Sequence, residues 1–402
     1  MRMLFISQLF DPEYSIKGLE FLRDVKASGI EVDVITTFPN YPTGKIFPGY
    51  KLRACQIEEK DEMRIFRVWS YISHSRSRFA RGLAYVTFML SALGVSLFIR
   101  KPDVVYAYHP QITTGIIGII LKKTKSVKFI TDVQDLWPDA LAATGNRKDS
   151  ILYRLIYRIC SYIYKQADAI IVLSKGYKRE LVKRGVDEQK ISIVYNWHAE
   201  EQETTHIPIT QVEGSSLLKG QSKYKFVYAG NLGAAQSLKT IIHAFDKCKE
   251  YSIDLNIIGS GVEATLLAEY TKNIGAENIY FLGYIPSKEI GPYLMQADVL
   301  VAHLKDDPLF KITIPSKVQA YLSLSKPILM AVGGEANQII EDAHAGICAE
   351  PDDVESITRG IKDLIRLHDE WPIMSKNGYS FYYTSMSRSF ALNKILKILR
   401  NI

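Results

Sequence analysis

Short apolar runs alternate along this chain with longer segments whose apolar residues recur at helical spacing. In the first half, the apolar runs predict strands at Leu4–Ser7, Glu31–Thr36, Arg64–Trp69, Val104–Tyr108, Lys128–Thr131, Ala169–Leu173 and Ser192–Tyr195. The amphipathic segments predict helices at Lys17–Ser28, Phe79–Ile99, Gln111–Lys122, Ile151–Gln166 and Lys175–Arg184. This alternation is typical of a doubly wound parallel sheet, whose ligands bind beyond the carboxyl ends of the strands.

Residues 198–223 are polar and lose all periodicity, after which a second series begins. It predicts strands at Phe226–Ala229, Asp254–Ile258, Ile279–Leu282, Val299–His303, Pro327–Ala331 and Gly346–Ala349. Because 402 residues are too many for one core, we expect two similar Rossmann-like α/β domains, residues 1–197 and 224–386, facing one another across a cleft. Residues 198–223 are the predicted linker. The amphipathic helix within residues 387–402 is expected to pack back against the first domain.

The composition is that of a globular protein, with 47% apolar and 23% charged residues. Cys55, Cys160, Cys248 and Cys348 are scattered without a CxxC pair, so the sequence predicts neither a zinc knuckle nor a disulfide framework. The chain opens on an apolar run that reads as a strand and not as a signal peptide. We therefore expect a cytoplasmic location.

The net charge of +7 calls for an anionic partner. Nucleic acid is not expected, because the basic residues are interleaved neither with an aromatic platform nor with a helix-turn-helix pattern. Arg76, Arg78 and Arg81 precede the uncharged run Leu83–Ile99, and Arg100-Lys101 follows it. The run is slightly short for a membrane span. We interpret it as a helix partly buried against the sheet whose basic flank lies on the inner face of the cell membrane; a plain buried helix is the alternative.

The stretch from Pro308 to Pro327 combines a helix start with two lysines. Pro315 suits a first helical position and Ser316 suits a cap, and Lys311 and Lys317 place cations around the free N–H groups of that start. A helix N-terminus with lysines holds a phosphate without a metal. The alternative is a capped surface helix with solvated lysines.

Two glycine-rich loops follow strands in the second half. Gly230 and Gly233 directly follow the strand Phe226–Ala229, where they allow the backbone to approach an anion closely, although a tight turn without a ligand gives the same pattern. Residues 259–264 match a GxGxxA dinucleotide fingerprint. The next strand ends Phe281-Leu282-Gly283, without the acidic residue that holds the ribose of NAD. A nicotinamide oxidoreductase is therefore disfavoured.

The segment DVQDLWPD, residues 132–139, follows a strand of the first half. Its carboxylates can bind sugar hydroxyls and Trp137 can stack on a sugar ring, whereas Asp132 itself is interpreted as a buried structural carboxylate. His109 ends the preceding strand and is either a sugar or acid/base contact or a solvated loop histidine. No DxD follows a strand and no His/Asp cluster has metal-ligand spacing, so metal-dependent transfer is not indicated.

The tandem layout and these motifs together resemble glycosyltransferase family 4 with the GT-B fold, most closely its bacterial members that build O-antigen or capsule units. The residues that carry the resemblance lie along nearly the whole chain: NYPTGK (40–45), PGY (48–50), DVQDLWPD (132–139), YNW (195–197), YAGNLG (228–233) and IPSK (314–317). The resemblance implies a retaining transferase that takes a hexose from a nucleotide diphosphate sugar without a metal or other cofactor. It also implies a lipid-diphosphate-linked sugar acceptor at the inner membrane face, with a UDP-linked N-acetylated or 6-deoxy hexose as the expected donor.

Under this resemblance we assign roles to named positions. The predicted catalytic residues are Lys317, Asp135 and Gln134. The predicted donor-binding residues are Gly18, Gly230, Asn231, Gly233, Gln236, Lys311, Ile314, Ser316 and Gln319. The predicted acceptor-binding residues are His109 and Trp137. The resemblance accordingly implies that residues 1–197 form the acceptor-binding domain and residues 224–386 the nucleotide-sugar-binding domain.

Several positions depart from the family pattern. Asn231 replaces the usual arginine, Gln134 the usual histidine, and Gln236 is nearest to the usual lysine. The paired glutamates of the family would fall at Ile312 and Ala320, and the second of them normally holds the donor ribose. Either Gln319 or a neighbour takes over that contact or activity is impaired. A non-catalytic scaffold homologue and a nucleotide-sugar epimerase are therefore the alternative functions.

Overall fold

The computed structural model describes residues 1–72, 78–140, 150–198 and 216–402. The chain divides into two compact units, Met1–Tyr195 together with Ala391–Ile402, and Asn196–Phe390. Arg76 and most of the predicted linker lie outside the described residues. The C-terminal residues thus belong to the unit that contains the N-terminal half of the chain.

Within the described residues, the first unit is built on one sheet of eight strands. Its strands are β1 (Arg2–Ser7), β2 (Glu31–Thr37), β3 (Cys55–Lys60), β4 (Met63–Val68), β5 (Val104–His109), β6 (Lys128–Val133), β7 (Ala169–Val172) and β8 (Ile191–Ile193). They lie in the order β3-β4-β2-β1-β5-β6-β7-β8, and all neighbours are parallel except β3 and β4. The helices are α1 (Leu19–Ala27), α2 (Arg78–Phe98), α3 (Gln111–Lys125), α4 (Ile151–Gln166) and α5 (Lys175–Lys183).

One edge strand of the first sheet, which the sequence did not predict, runs antiparallel to its neighbour. Strand β3 pairs antiparallel with β4, from Cys55 opposite Val68 to Lys60 opposite Met63. Asp61 and Glu62 form the two-residue connection, both at positive φ, as a tight hairpin requires. β3 is polar and mostly exposed, because an edge strand covers little core, and so it carries no apolar run that sequence reading can detect.

The second unit contains a six-stranded parallel sheet in the described part of the chain. Its strands are β9 (Tyr224–Ala229), β10 (Ile253–Ile258), β11 (Ile279–Gly283), β12 (Val299–His303), β13 (Ile328–Ala331) and β14 (Gly346–Cys348), in the order β11-β10-β9-β12-β13-β14. Its helices are α6 (Leu238–Asp246), α7 (Ala264–Asn273), α8 (Ser287–Met295), α9 (Ser316–Ser323), α10 (Gly334–Asp342), α11 (Val354–Arg366) and α12 (Trp371–Ser385). Both sheets are thus of the doubly wound type that the sequence predicts.

The last helix, α13 (Arg388–Arg400), packs through Ile395, Leu396 and Leu399, which are buried. The ammonium group of Lys394 donates to the backbone oxygen of Ile193, 3.4 Å away, at the end of β8. This contact joins α13 to the edge of the first sheet.

A buried ion pair joins the beginning and the middle of the first unit. Lys17, just before α1, and Asp132, near the end of β6, are both fully buried, and Nζ lies 2.5 Å from Oδ2. Asp132 also accepts hydrogen bonds from the phenol of Tyr106 and from Nε2 of Gln134, the latter at 2.5 Å. The interpretation of Asp132 as a structural carboxylate agrees with this geometry, and the network fixes the chain that continues into residues 134 and 135.

We expect Lys17→Met to lower the free energy of unfolding by about 3–5 kcal/mol, because it leaves the Asp132 carboxylate buried without its cation. Lys60→Met is the matched control: it breaks the exposed pair of Lys60 with Asp11, 2.8 Å long, and should cost about 0–1 kcal/mol. Urea unfolding of the full chain measures both. If both variants lost the same free energy of unfolding, the buried pair would contribute no more to stability than the exposed one.

Candidate functional site

The loops after β9 and β10 lie against one another at the carboxyl edge of the second sheet. The N–H of Gly230 donates to the oxygen of Ile258, and the N–H of Leu232 donates to that of Ser260, each at 2.9 Å. A Cβ on Gly259, at φ +145°, would lie 1.8 Å from the oxygen of Gly230. This close backbone contact accounts for the glycines of the weak dinucleotide fingerprint.

Lys317, in the first turn of α9, lies directly against the loop after β9. A Cβ on Gly230 would lie 2.6 Å from Nζ of Lys317, and Nζ also lies 4.8 Å from the centre of the Tyr228 ring. In the described part of the chain no carboxylate lies within ion-pair distance of this ammonium group. Solvent reaches part of the side chain, but the surrounding protein lowers the pKa of Lys317 to about 8. The structure therefore brings together Gly230 and Lys317 and leaves the cation available to an anion.

Lys311 differs from Lys317 because it already has a partner. Its ammonium group lies 2.7 Å from Oδ1 of Asp306, and this pair raises the pKa of Lys311. A Cβ on Gly334 would lie 2.1 Å from the backbone oxygen of Lys311, so the start of α10 packs tightly on this loop. A phosphate at this position would compete with Asp306 for the ammonium group.

The predicted cap of α9 is wrong in detail. Pro315 occupies the cap position with an extended backbone, φ −61° and ψ 146°, and Ser316 is the first helical residue, without a side-chain capping bond. The preceding Ile314 is buried. Neither Pro315 nor Ser316 therefore provides a side-chain acceptor for the backbone N–H groups in the first turn of α9.

The polar side chains of the loop after β9 bond mainly to one another. Nδ2 of Asn231 and the N–H of Gly233 both donate to Oε1 of Gln236, at 3.1 and 3.2 Å. The loop is therefore ordered by its own residues. A bound diphosphate would lie against a preformed loop.

Gln319, the predicted substitute for the ribose-binding glutamate, is buried within α9. In the orientation of its amide that satisfies its neighbours, the nitrogen donates to the oxygens of Pro315 and Ser316 at 2.9 and 3.1 Å. The amide of Gln319 is thus engaged by the start of the helix.

His303 is a residue of this edge that sequence reading missed. It is buried at the end of β12, where Nδ1 lies 2.6 Å from the oxygen of Gln236 and Nε2 accepts from the N–H of Asp352 at 3.1 Å. These partners fix a neutral ring with the proton on Nδ1, and burial lowers the pKa of His303. His303 connects the loop after β9 to the segment after β14. No signal in the sequence distinguishes it from a core histidine.

In the first unit, the three aspartates of the DVQDLWPD segment differ in whether they form ion pairs. Asp139 pairs with Arg184, Oδ2 to Nη2 at 2.5 Å, and the oxygen of Trp137 accepts from Nη1 of the same arginine at 3.0 Å. Asp135 has no ion pair with any described residue. It is open to solvent on one side, while the protein around it raises its pKa. Of the three carboxylates, Asp135 therefore remains the one available to a substrate.

His109 lies at the rim of a cavity of about 790 Å³ at the carboxyl edge of the first sheet, together with residues 40–44 and the start of α2. Burial lowers the pKa of His109 to about 4, so its ring is neutral at pH 7. Trp137 does not line this cavity. Gly18 begins α1 beside the buried Lys17, and a Cβ there would lie 2.9 Å from the oxygen of Ser15. Of the two predicted acceptor residues, only His109 lines this cavity.

Two domain families match the chain. Residues 19–197 match the glycosyl transferase 4-like domain, and residues 212–381 match the glycosyl transferases group 1 family. The first match covers most of the first unit and the second contains the loops around Lys317.

Two similar proteins are named as glycosyltransferases. The chain is 25% identical over 299 residues to the probable glycosyltransferase WbjE of Pseudomonas aeruginosa, which covers 73% of this chain and 74% of WbjE. It is 23% identical over 380 residues to the putative colanic acid biosynthesis glycosyl transferase WcaI of Escherichia coli, covering 91% and 93%.

A solved structure gives the same fold. The Alr3699/HepE protein of Anabaena, in complex with UDP, superposes with a TM-score of 0.69 at 12% identity and covers both chains completely. The prediction of the GT-B fold is confirmed by the two parallel α/β domains and by this likeness.

The lowered pKa of Lys317 allows a test of whether this lysine binds an anion. Its ammonium group loses a proton near pH 8, so affinity for UDP should be highest below that pH and fall as the pH rises towards 9. Lys317→Met should weaken binding by about tenfold or more and abolish this pH dependence. Isothermal titration calorimetry with UDP between pH 6.5 and 9 measures both effects.

The matched control is Lys249→Met, which removes a cation just before β10, at the amino edge of the same sheet. It should leave both the affinity and its pH dependence unchanged. An unaltered pH profile in Lys317→Met would place the titrating group elsewhere.

Proposed function

This chain belongs to the glycosyltransferases that its two domain matches define, and we propose that it moves a hexose from a UDP-sugar to a lipid-linked saccharide in surface polysaccharide biosynthesis. The proposed reaction retains the anomeric configuration and needs no metal. The observation that carries the proposal is the Lys317 ammonium group, held against Gly230 without a carboxylate partner among the described residues.

Lys317 is proposed to stabilise the negative charge that develops on the leaving group. When the glycosidic bond of a nucleotide sugar breaks, negative charge accumulates on the leaving diphosphate. A cation beside a backbone that a ligand can approach closely stabilises that charge. Backbone N–H groups near Asn231 and Ile314 are proposed to assist, and Lys311 would join them once released from Asp306.

Asp135 and Gln134 are the proposed groups that orient the donor sugar or the acceptor hydroxyl. Gln134 donates to the buried Asp132, which fixes its position, while Asp135 keeps a free carboxylate. In a retaining transfer without a protein nucleophile, the departing phosphate oxygen takes the proton of the acceptor hydroxyl. Asp135 then has to position that hydroxyl and need not be the base.

The names of similar proteins support the donor and pathway in this proposal. The Anabaena protein binds UDP, and the Escherichia coli relative is named for colanic acid biosynthesis. These names support a UDP-sugar as the proposed donor and a surface polysaccharide as the proposed product.

We expect Lys317→Ala to reduce turnover by on the order of a hundredfold or more, because it removes a charge that stabilises the transition state. The measurement is nucleotide release from a panel of UDP-, GDP- and TDP-sugars, with binding followed by calorimetry. Asp135→Asn should lower turnover while leaving UDP affinity unchanged. Full activity in Lys317→Ala would overturn the assignment.

The same panel separates the alternative functions. A non-catalytic homologue, which Ala320 in place of the usual glutamate keeps open, would release no nucleotide from any sugar. An epimerase would convert a donor in the absence of acceptor and retain its nucleotide. Activity that survives a chelator would support the metal-independent reaction.

A surface of the first unit supports binding to the inner membrane face. Helices α2 and α4 both pack on α3, and each presents exposed apolar side chains: Phe79 (81%), Leu90 and Phe98 (90%) on α2, and Ile151 (85%) and Leu155 on α4. α2 is long and apolar enough to cross a membrane, but its Phe88 and Ala92 are fully buried in the sheet's core. An interfacial position suits such a helix better than a spanning one.

Basic residues accompany this apolar surface. Arg81, Arg100 and Lys101 lie on or next to α2, and Arg154 and Arg158 lie on α4. We propose that these helices lie on anionic lipid, the apolar side chains in the interface and the cations at the headgroups. Only α2 was predicted for this role, since the apolar positions of α4 are also those of an ordinary amphipathic helix.

We expect the double change Phe79→Asp and Leu90→Asp to weaken binding to vesicles of phosphatidylglycerol and phosphatidylethanolamine by about tenfold or more, since two apolar anchors are lost. Val262→Asp, an exposed apolar position of the second unit, is the control and should bind as the unaltered protein does. Co-sedimentation with the vesicles measures all three. Unchanged binding of the double variant would contradict the proposed surface.

A further inference from the structure

A second cavity of the first unit, of about 480 Å³, lies between α3 and α4. Isoleucines form most of its lining: Ile116, Ile119 and Ile120 of α3, and Ile159 and Ile163 of α4. Ile119 and Ile163 are buried, and the other three are half-buried. An apolar group that entered this cavity would remove apolar surface from water, which is favourable.

Close contacts between the two helices hold the cavity in place. A Cβ on Gly115 would lie 2.7 Å from Cγ2 of Ile163, so this isoleucine already packs tightly on α3. Nearer the ends of both helices, the ammonium group of Lys122 donates to the backbone oxygen of Gln166 at 2.8 Å. The cavity is therefore a fixed feature of the packing of α3 on α4.

Two exposed cations, Lys123 and Arg158, line the same cavity. The ammonium group of Lys123 donates to the phenol of Tyr162 at 2.8 Å and lies 5.5 Å from the centre of its ring. Neither cation forms an ion pair with a carboxylate in the part of the chain that the structure describes. The neighbouring Lys122, in contrast, pairs with Asp168 at 2.9 Å. The charge beside the cavity is thus not neutralised by these residues.

The surrounding helices contain no acidic residue. The sequences of α2, α3 and α4, which are 21, 15 and 16 residues long, have neither aspartate nor glutamate, although the whole chain has 43 acidic residues. A surface with cations of one sign attracts an anionic partner and repels a cationic one. An apolar cavity with cations beside it therefore suits a ligand that joins an apolar chain to a negative charge.

We propose that this cavity binds one acyl chain of an anionic phospholipid, whose phosphate lies at Lys123 and Arg158. The inference rests on the proposed membrane position of α2 and α4, and it adds a defined site for a single lipid. A free phosphate would gain little from two exposed cations alone, whereas an acyl chain adds affinity with each CH₂ group that it buries. A second copy of this chain is disfavoured, because its own α3 and α4 carry the same positive charge.

The test uses the full chain and soluble probes below their critical micelle concentrations. Octanoyl lysophosphatidylglycerol carries both a chain and a phosphate, monooctanoylglycerol only the chain, and glycerol 3-phosphate only the phosphate. Calorimetry should show the first probe binding at least tenfold more tightly than either of the others. Decanoyl lysophosphatidylglycerol should bind about tenfold more tightly still, since it buries two further CH₂ groups.

We expect the double change Lys123→Met and Arg158→Met to weaken binding of octanoyl lysophosphatidylglycerol by about tenfold or more, because the contacts to its phosphate are lost. Binding of monooctanoylglycerol should stay unchanged. Ile159→Asp should weaken both of these probes, since it places a charge in the apolar cavity. The matched controls are Lys51→Met, an exposed lysine in the loop before β3, and Leu152→Asp, an exposed leucine of α4 outside the cavity lining. Neither control should change any affinity.

Failure of this site differs from failure of the proposed function. Equal affinities of the Lys123 and Arg158 double variant and the unaltered protein for octanoyl lysophosphatidylglycerol would overturn the site, as would no binding of that probe to the unaltered protein. Equal losses in Leu152→Asp and Ile159→Asp would also overturn it, because the chain would then lie on the exposed face of α4. Absence of nucleotide release from the unaltered protein would instead count against the transferase, and absence of vesicle binding against the membrane surface.

Discussion

The buried ion pair between Lys17 and Asp132 is the interaction on which the first unit's edge depends. It joins residues 115 positions apart, and it ties the start of α1 to the strand end that leads into Gln134 and Asp135. Two charges without solvent are stable only when each satisfies the other and further hydrogen bonds complete the site, as Tyr106 and Gln134 do here. The pair thus holds the candidate catalytic segment in one conformation.

The contrast between paired and unpaired charges separates structure from function throughout the chain. Asp132 and Asp139 have cations within 2.5 Å, and each holds a segment in place. Lys317 and Asp135 lie at the carboxyl edges of the two sheets and have no ion-pair partner among the described residues. The Lys317 side chain is half-buried, and a half-buried charge without a partner costs free energy. Under the proposed function, the diphosphate of the donor would be the partner of Lys317.

The strands that carry apolar runs, and the loops that follow them, could be predicted from the sequence, because an apolar run and its periodicity can be recognised within a short segment. It also brought out Gly230 and Lys317, which the structure places in contact. It did not reveal β3, whose edge position removes the apolar signal, nor the partners of Asp132 and Asp139, which are distant in the chain. His303 was not identified for a similar reason: a lone histidine at a strand end becomes distinctive only when its hydrogen-bond partners are known.

Ala320 bears on how the second unit can recognise a donor. Gln319 beside it is buried and engaged by the start of α9, so neither residue offers a carboxylate to a ribose. Under the proposed function, recognition of the nucleotide would therefore depend more on the diphosphate, beside Lys317 and the glycine loop, than on the ribose. A charge contact of this kind discriminates poorly between nucleotides that share a diphosphate, since all of them present the same group. In the proposed reaction, selection of the donor would then come from contacts to the base and to the transferred sugar, through side chains other than those beside the phosphates.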